Sequence, residues 1–396
     1  MLAGRDEAAS WQVVGEDGRV ADVLVLSFSP IASDARVLKQ VELLREQHSV
    51  TTCGYGPAPE GVARHIEIPM SAASTALNGR LITARAYLAA YASMPAVAAA
   101  RRLLRPEKAC FDVVLANDVE AVPIGLWLRP RAGVHADLHE YSPKLHDENP
   151  AWRRRIAPFY RWICHRFVVK ADSATTVGHG LADAYREDFG IDAEIVTNAA
   201  PFAELTPSEV ADDGALRLVH SGAALRNRHL EVLLDAVASS SADVSLDLLL
   251  MANDPAYIDE LRERASERVR VLDPVPYAEL VATLNAYDLG VHILPPVNFN
   301  NANALPNKIF DYVQARLGLI VGPTPEMAAL AREHGVGVVT EDFTAEALAA
   351  VLDSLDAARV RELKAASHAA ARELSAEVAV QGWARAIDAL VAGAQR

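Results

Sequence analysis

The stretch ADVLVLSFSP, Ala21 to Pro30, decides the fold. It is a nearly continuous apolar run that ends in small polar residues, the pattern of a strand buried on both faces of a parallel sheet. SDARVLKQVELLREQ follows. Ser33 or Asp34 suits a helix N-cap, and Val37, Val41 and Leu44 then share one face with Leu38 beside them. HSVTTCGYG is a second short strand, so the chain opens as a strand–helix–strand unit.

Working outward, the stretch from Ser71 to Leu104 is rich in Ala, Leu and Arg and reads as helix. FDVVLAND (Phe111 to Asp118) and GVHADLHEYSP are further buried strands with polar residues at their carboxyl ends, and SATTVGHGLADAYRED reads as strand, turn and helix. A second alternating set begins at LRLVHSGAA and runs through SLDLLLMAND, VRVLDPV and LGVHILPP to GLIVGPTPEMAALAREHGVGVVT. The acidic, Pro-containing stretch Pro201 to Asp213 divides the two blocks as a linker. The expected architecture is α/β: two Rossmann-like domains with parallel sheets facing each other across a cleft. Ligands in such sheets sit at the carboxyl ends of the strands.

The bulk numbers agree. At 396 residues the chain is too long for one ordinary core, and its 51% hydrophobic content supplies a large buried volume. A formal net charge of -14 argues against general nucleic-acid binding, which needs clustered Lys and Arg. Cys53, Cys110 and Cys164 are far apart, odd in number and without metal-ligand spacing, so they read as reduced, mostly buried thiols. The N-terminus is polar and acidic without the apolar core of a secretory signal, and no apolar run is long enough to span a bilayer. The expected location is cytoplasmic, with a peripheral contact at the inner membrane face left open.

Two nucleotide motifs are missing. No G-x-G-x-x-G follows the first strand, as a nicotinamide enzyme would require, and no Walker A pattern occurs. What the chain does carry is a set of segments in order. They are DLHEYSP, ATTVGHGLADAY, IVTNAAP, LVHSGAALRNRHLEVLLDAV and LPNKIFDYVQARLGLIVGPTPEM. Over about residues 21 to 390 this set resembles a GT-B glycosyltransferase of the large retaining family 4, in its PNKLFEY variant. The resemblance implies an acceptor-side domain at 21–200, completed by the C-terminal helix 376–396, and a nucleotide-sugar donor domain at 201–375.

The stretch Asn301 to Gly322 shows why a phosphate-bearing ligand belongs here. A helix beginning near Pro306 presents free backbone N–H groups and the positive end of its dipole, which suits a diphosphate. Asn303, Ala304, Leu305 and Asn307 surround that terminus, Lys308 adds a positive charge, and Asp311 lies one turn in, where a carboxylate can accept from two ribose hydroxyls. In the resembling family two Glu residues separated by seven others frame this helix, one on the donor sugar and one on the ribose. Here Asn303 and Asp311 stand in those places, and the first of these changes loses a charge.

Arg226 and Arg228 follow the strand LVHSGAA and are candidates to bind the diphosphate bidentately. Arg228 falls where the resembling family has Lys, while the family's Arg position holds Ala223 or Ala224. His139, beside Glu140, is the candidate catalytic group on the acceptor side, and Asn117 and Asp118 close the neighbouring strand. The base belongs near Val275, walled by Pro274 and Pro276, although the family often has Gly at Asp273. The nucleotide is UDP-, GDP- or dTDP-linked, with the base open.

The resemblance implies transfer with retention and without a protein nucleophile, driven by positioning and charge. No D-x-D occurs, so no metal or other cofactor is expected to be required. WRRRIAPFYRWICHRFVVK (Trp152 to Lys170) is basic and aromatic, and reads as an amphipathic surface helix that offers a contact with anionic lipid. Two other readings stay open: a catalytically silent nucleotide-sugar-binding or scaffold subunit, and a nucleotide-sugar epimerase on the same architecture.

Overall fold

The computed structural model describes residues 20–72, 76–212 and 215–394. Most of the polar N-terminal segment read against a secretory signal, and Asp213 at the end of the linker, lie outside the described residues.

Among the described residues the strands form two parallel sheets. The first contains β1 (Asp22–Pro30), β2 (Ser49–Tyr55), β3 (Arg64–Glu67), β4 (Val113–Asn117), β5 (Gly133–Leu138), β6 (Ser173–Thr176) and β7 (Ala193–Ile195). Its order is β3-β2-β1-β4-β5-β6-β7. The second contains β8 (Leu216–Ala223), β9 (Val244–Met251), β10 (Val269–Leu272), β11 (Leu289–His292), β12 (Gly318–Val321) and β13 (Gly337–Val339), in the order β10-β9-β8-β11-β12-β13. Strand order therefore reverses between β1 and β4, and again between β8 and β11. These are the points where connections leave in opposite directions and open a crevice.

The opening unit folds as its pattern requires. Val23, Leu24, Val25 and Leu26 of β1 are fully buried, which is the reason the run is continuous rather than alternating. Asp34 caps the helix Ala35–Arg45 by accepting from the amides of Arg36 and Val37. Val37, Val41 and Leu44 on that helix pack on the sheet. The final helix, Gln381–Gly393, returns to the first sheet. Its Ile387 joins the β1–β2–β4 core, and Trp383 packs on Val196 just after β7.

Two local readings are corrected, the Ala-rich helix and the basic aromatic segment. The Ala-rich stretch to Leu104 is not one helix. It breaks into Gly79–Thr83, Tyr87–Ala92 and Pro95–Leu103, because Arg85 turns left-handed (φ 54°) and Pro95 can only begin a helix. Of the three thiols, Cys53 and Cys164 are buried but Cys110 is exposed. The basic aromatic segment is two short helices, Pro150–Arg155 and Ala157–Arg166. Trp152, Phe159 and Ile163 are buried in the first core, Trp162 packs against it and Phe167 stacks on Tyr91, so these apolar groups face the protein rather than lipid. Arg153, Arg154 and Arg155 face solvent. Among the described residues no helix is long and apolar enough to cross a membrane.

Candidate functional site

A cavity of about 540 Å³ opens at the carboxyl ends of β8, β9 and β11, at the second sheet's reversal point. Its polar wall is Ser221, Gly222, Arg228, His292, Asn307, Lys308 and Asp311, and its apolar wall includes Leu249, Met251, Pro274, Val275, Tyr277 and Leu280. Met251 and Tyr277 are about half exposed there (49% and 53%), so the apolar wall presents surface that an aromatic ring could cover.

The helix Asn307–Gln314 supplies the polar end. Pro306 is its N-cap and makes no side-chain cap bond, so the first amides face the cavity without a protein acceptor from that side chain. The amphipathic pattern seats it: Ile309, Phe310, Tyr312 and Val313 are buried in the second lobe. The Tyr312 hydroxyl accepts from the Ser221 amide at 3.0 Å, which ties the helix to the end of β8. Lys308 then lies over Gly222. A Cβ at that glycine would come within 2.8 Å of Nζ, and its φ of +134° also favours glycine.

The charges are arranged for an anion. Burial, then the neighbouring Arg228, lowers the Lys308 pKa to about 7 against the opposing pull of Asp311. Burial likewise lowers that of Arg228, and Glu140 from the first lobe acts in the opposite direction. Asp311 is only 4% exposed and its Oδ1 has no hydrogen-bond partner. Burial raises its pKa to about 6, although Lys39 and Lys308 favour its charge. An unpaired buried carboxyl oxygen in a pocket is a vacancy for a donor.

The sequence candidates divide. The structure brings Arg228, Val275, Asn307, Lys308 and Asp311 into one cavity. It does not bring Arg226 there. That guanidinium forms ion pairs with Glu260 (2.6 Å) and Asp254 (3.1 Å) on the surface and stacks on Tyr257. Leu305 is buried in the second core, with Ala304 packed against it.

Asn303 sits at the contact between lobes rather than in the pocket wall. Its Nδ2 donates to the Phe299 carbonyl at 2.9 Å, and its Oδ1 lies where a Cβ of Gly180 would be. The same contact includes the Gly180 amide donating to Glu326 Oε1 (2.6 Å) and the Tyr141 amide donating to Asn300 Oδ1 (2.8 Å). Phe299 packs on Tyr141, with ring centroids 5.1 Å apart. The segment 298–303 is therefore a bridge from the second lobe into the first.

His139 is on the first lobe, at the end of β5. Its Nε2 is 3.0 Å from Asn117 Oδ1 and 3.1 Å from Asp137 Oδ2, and its amide donates to Asp118 Oδ1 at 3.2 Å. Burial opposes its charge, but Asp118 and Asp137 together outweigh burial and raise its pKa above the ordinary imidazole range. Sequence reading missed His220, His292, Gly222 and Tyr277. For the two histidines a signal existed: each is a polar ring directly after apolar strand residues, His220 within β8 and His292 at the end of β11.

With this geometry established, comparison with known proteins places the chain. Residues 33–199 match the glycosyl transferase 4-like domain family. No curated protein sequence matches the chain. Among solved structures the chain is similar to Anabaena Alr3699/HepE in complex with UDP and glucose, with a TM-score of 0.65 and 15% identity over 93% of this chain and 99% of that one. It is similar to sucrose-phosphate synthase from Thermosynechococcus elongatus, with a TM-score of 0.68 and 13% identity over 94% and 99%. An E. coli trehalose-6-phosphate protein bound with UDP-2-fluoro glucose gives a TM-score of 0.67 and 12% identity over 93% and 99%. The two facing sheets are thus the GT-B fold.

Proposed function

We propose that this chain, whose residues 33–199 match the glycosyl transferase 4-like domain family and whose two lobes form a GT-B fold, moves a sugar from a nucleoside diphosphate to an acceptor hydroxyl with retention. One observation carries the reading. Lys308 and Arg228 line the same cavity as Asp311, whose buried Oδ1 has no hydrogen-bond partner, at a helix N-terminus. Two cations suit the diphosphate, and a buried carboxylate one turn deeper suits ribose hydroxyls.

In this reading residues 201–375 bind the donor, while 21–200 with the terminal helix 376–396 bind the acceptor. Val275 and Pro274 flank the base, and the Asn307 amide caps a phosphate. His139 faces the acceptor side, held by Asp137 and Asn117. The acceptor oxygen bonds to the anomeric carbon as the bond to the phosphate oxygen breaks. The hydroxyl proton passes to the leaving diphosphate, whose charge Lys308, Arg228 and the helix terminus stabilise. A cytoplasmic setting, where nucleotide sugars are available, fits this chemistry.

The test is thermal unfolding with UDP, GDP, dTDP, ADP and NAD, each in excess. A ligand at a hundred times its dissociation constant adds about 2.7 kcal/mol, enough to move the midpoint measurably. A shift with one nucleoside diphosphate and none with NAD is expected. Arg228→Ala should abolish that shift and Arg226→Ala should leave it, because only the first lines the cavity. No shift with any diphosphate would favour the silent scaffold reading instead.

A further inference from the structure

Two histidines that the reaction scheme above does not use stand at the cavity, His292 in its lining and His220 beside it. His220 on β8 and His292 on β11 stand on either side of the sheet's reversal point, each 2% exposed, with ring centroids 5.7 Å apart. His220 Nδ1 lies 2.9 Å from the Val291 carbonyl oxygen and must donate to it. In the neutral ring that fixes the tautomer and leaves Nε2 as a bare lone pair, without a partner. His220 therefore has no N–H to offer the cavity. His292 differs. It lines the cavity, and neither of its ring nitrogens has a partner.

A buried ring with both nitrogens unsatisfied is costly, and an apolar side chain of similar size would avoid the cost. The position becomes reasonable once the cavity is filled. Its charged groups are Lys308 and Arg228 against the single carboxyl of Asp311, a net positive set that suits an anionic occupant. A third fixed cation would be repelled by those two. Burial and then Lys308 keep both imidazoles well below their ordinary pKa, hence neutral. A neutral N–H is the donor that such a crowded positive site can accept.

We infer that His292 is a ligand-contacting residue of this site, giving an imidazole N–H to a phosphate oxygen of the bound diphosphate. The inference rests on the donor-site reading above and adds to it a phosphate contact that its sequence motifs do not contain.

The experiment compares wild type with His292→Leu and His292→Gln. Calorimetric titration uses the nucleoside diphosphate that stabilises the wild type, and inorganic pyrophosphate as the bare probe. His292→Leu should weaken both ligands about tenfold, the order expected for one lost charge-assisted hydrogen bond. The same variant should leave the ligand-free unfolding midpoint unchanged or raised, because an unsatisfied buried ring has gone. His292→Gln, which keeps an N–H, should recover part of the affinity. Unchanged affinity in His292→Leu overturns the inference, and so does a destabilised variant whose folded fraction binds normally, since that marks a structural histidine. Weakening for the nucleotide but not for pyrophosphate also overturns it, because the contact would then be to the nucleoside. If wild type binds pyrophosphate but no nucleoside diphosphate, the donor-site reading fails while the phosphate contact stands. If it binds neither, both fall.

Discussion

Replacing Asp137 by Ala is expected to destabilise the protein by about 3–5 kcal/mol, the usual cost of stranding a buried charge without its partner. The carboxylate is fully buried at the end of β5 and accepts from five residues. Arg36 reaches it with Nε (2.7 Å) and Nη2 (2.6 Å), Gln40 Nε2 at 2.6 Å, Thr175 Oγ1 at 2.6 Å, His139 Nε2 at 3.1 Å and Trp383 Nε1 at 3.3 Å. Arg36 also donates Nη1 to the Val196 carbonyl (2.8 Å) and to Asn198 Oδ1 (2.9 Å), and its guanidinium lies 4.7 Å from the Trp383 ring centroid. One acid thus joins the first helix, the first sheet, the segment after β7 and the C-terminal helix. Arg36→Leu combined with Asp137→Leu should cost less than either single change, because the pair disappears together.

The pH dependence has a definite sign. Burial works to raise the Asp137 pKa, but the charge of Arg36 and the hydrogen bonds overcome it and hold it well below the carboxylate range. A depressed folded-state pKa gives stability that is complete above the unfolded value, about 4, and fades as pH falls toward the folded one. Urea titrations of wild type and Asp137→Ala should therefore converge below about pH 4. A gap that persists in acid would mean that packing, not charge, sets the cost.

How much of this was legible can be argued residue by residue. The continuous apolar runs of β1 and β4 and the caps between them fixed the alternation, because parallel strands buried on both faces leave no room for polar positions. β3 (Arg64–Glu67) was not legible. An edge strand of RHIE carries no apolar run, and pairing with β2 alone creates it. The helix Asn307–Gln314 begins where the sequence placed it, since its N-terminus, Lys308 and Asp311 are local in sequence.

Asn303 was different. Counting from the helix aligned it with a sugar-contacting position, but its side chain is claimed by Phe299 and by Gly180, a residue of the other lobe. Only the tertiary contact shows that. Arg226 failed for a similar reason. Its partners Glu260 and Asp254 are remote in sequence, and an ion pair with them was not readable from a loop of two arginines. His220 and His292 were each visible as a polar residue in a strand. Their shared place at the reversal point depends on β8 and β11 being neighbours.

The bridge made by 298–303 links these two kinds of site. It attaches the second lobe beside Tyr141 and Gly180, a few residues beyond His139 and at the start of the helix His179–Phe189. Across the cleft the charge of Glu140 acts on Arg228, and that of Lys39 acts on Asp311. The facing walls of the two lobes thus act on each other's charges.

The largest functional effect is expected at Lys308. Lys308→Met keeps much of the stem but removes the charge, and should lower kcat/KM by about 10²–10³-fold, comparable with loss of one preorganised donor to a developing anion. The second half of the expectation is a proton. In the free protein the Lys308 pKa is lowered to about 7 by burial and then by Arg228. A bound diphosphate favours the ammonium and raises that pKa. Binding above pH 7 must therefore take up a proton, while binding well below it need not. Affinity for a nucleotide sugar, whose own phosphates do not titrate there, should be flat in mild acid and fall by up to tenfold per pH unit above about pH 7. Stability of the ligand-free protein should move the other way. Where the unfolded lysine holds a proton that the folded one has lost, stability rises with pH. Calorimetric titrations in two buffers of different ionisation heat measure the uptake directly. Uptake approaching about one proton near pH 8.5 in wild type, and close to none in Lys308→Met, is the expected pair of results. The same uptake in both proteins would assign the proton to another group, and Lys308 would then act in the cavity by shape rather than by charge.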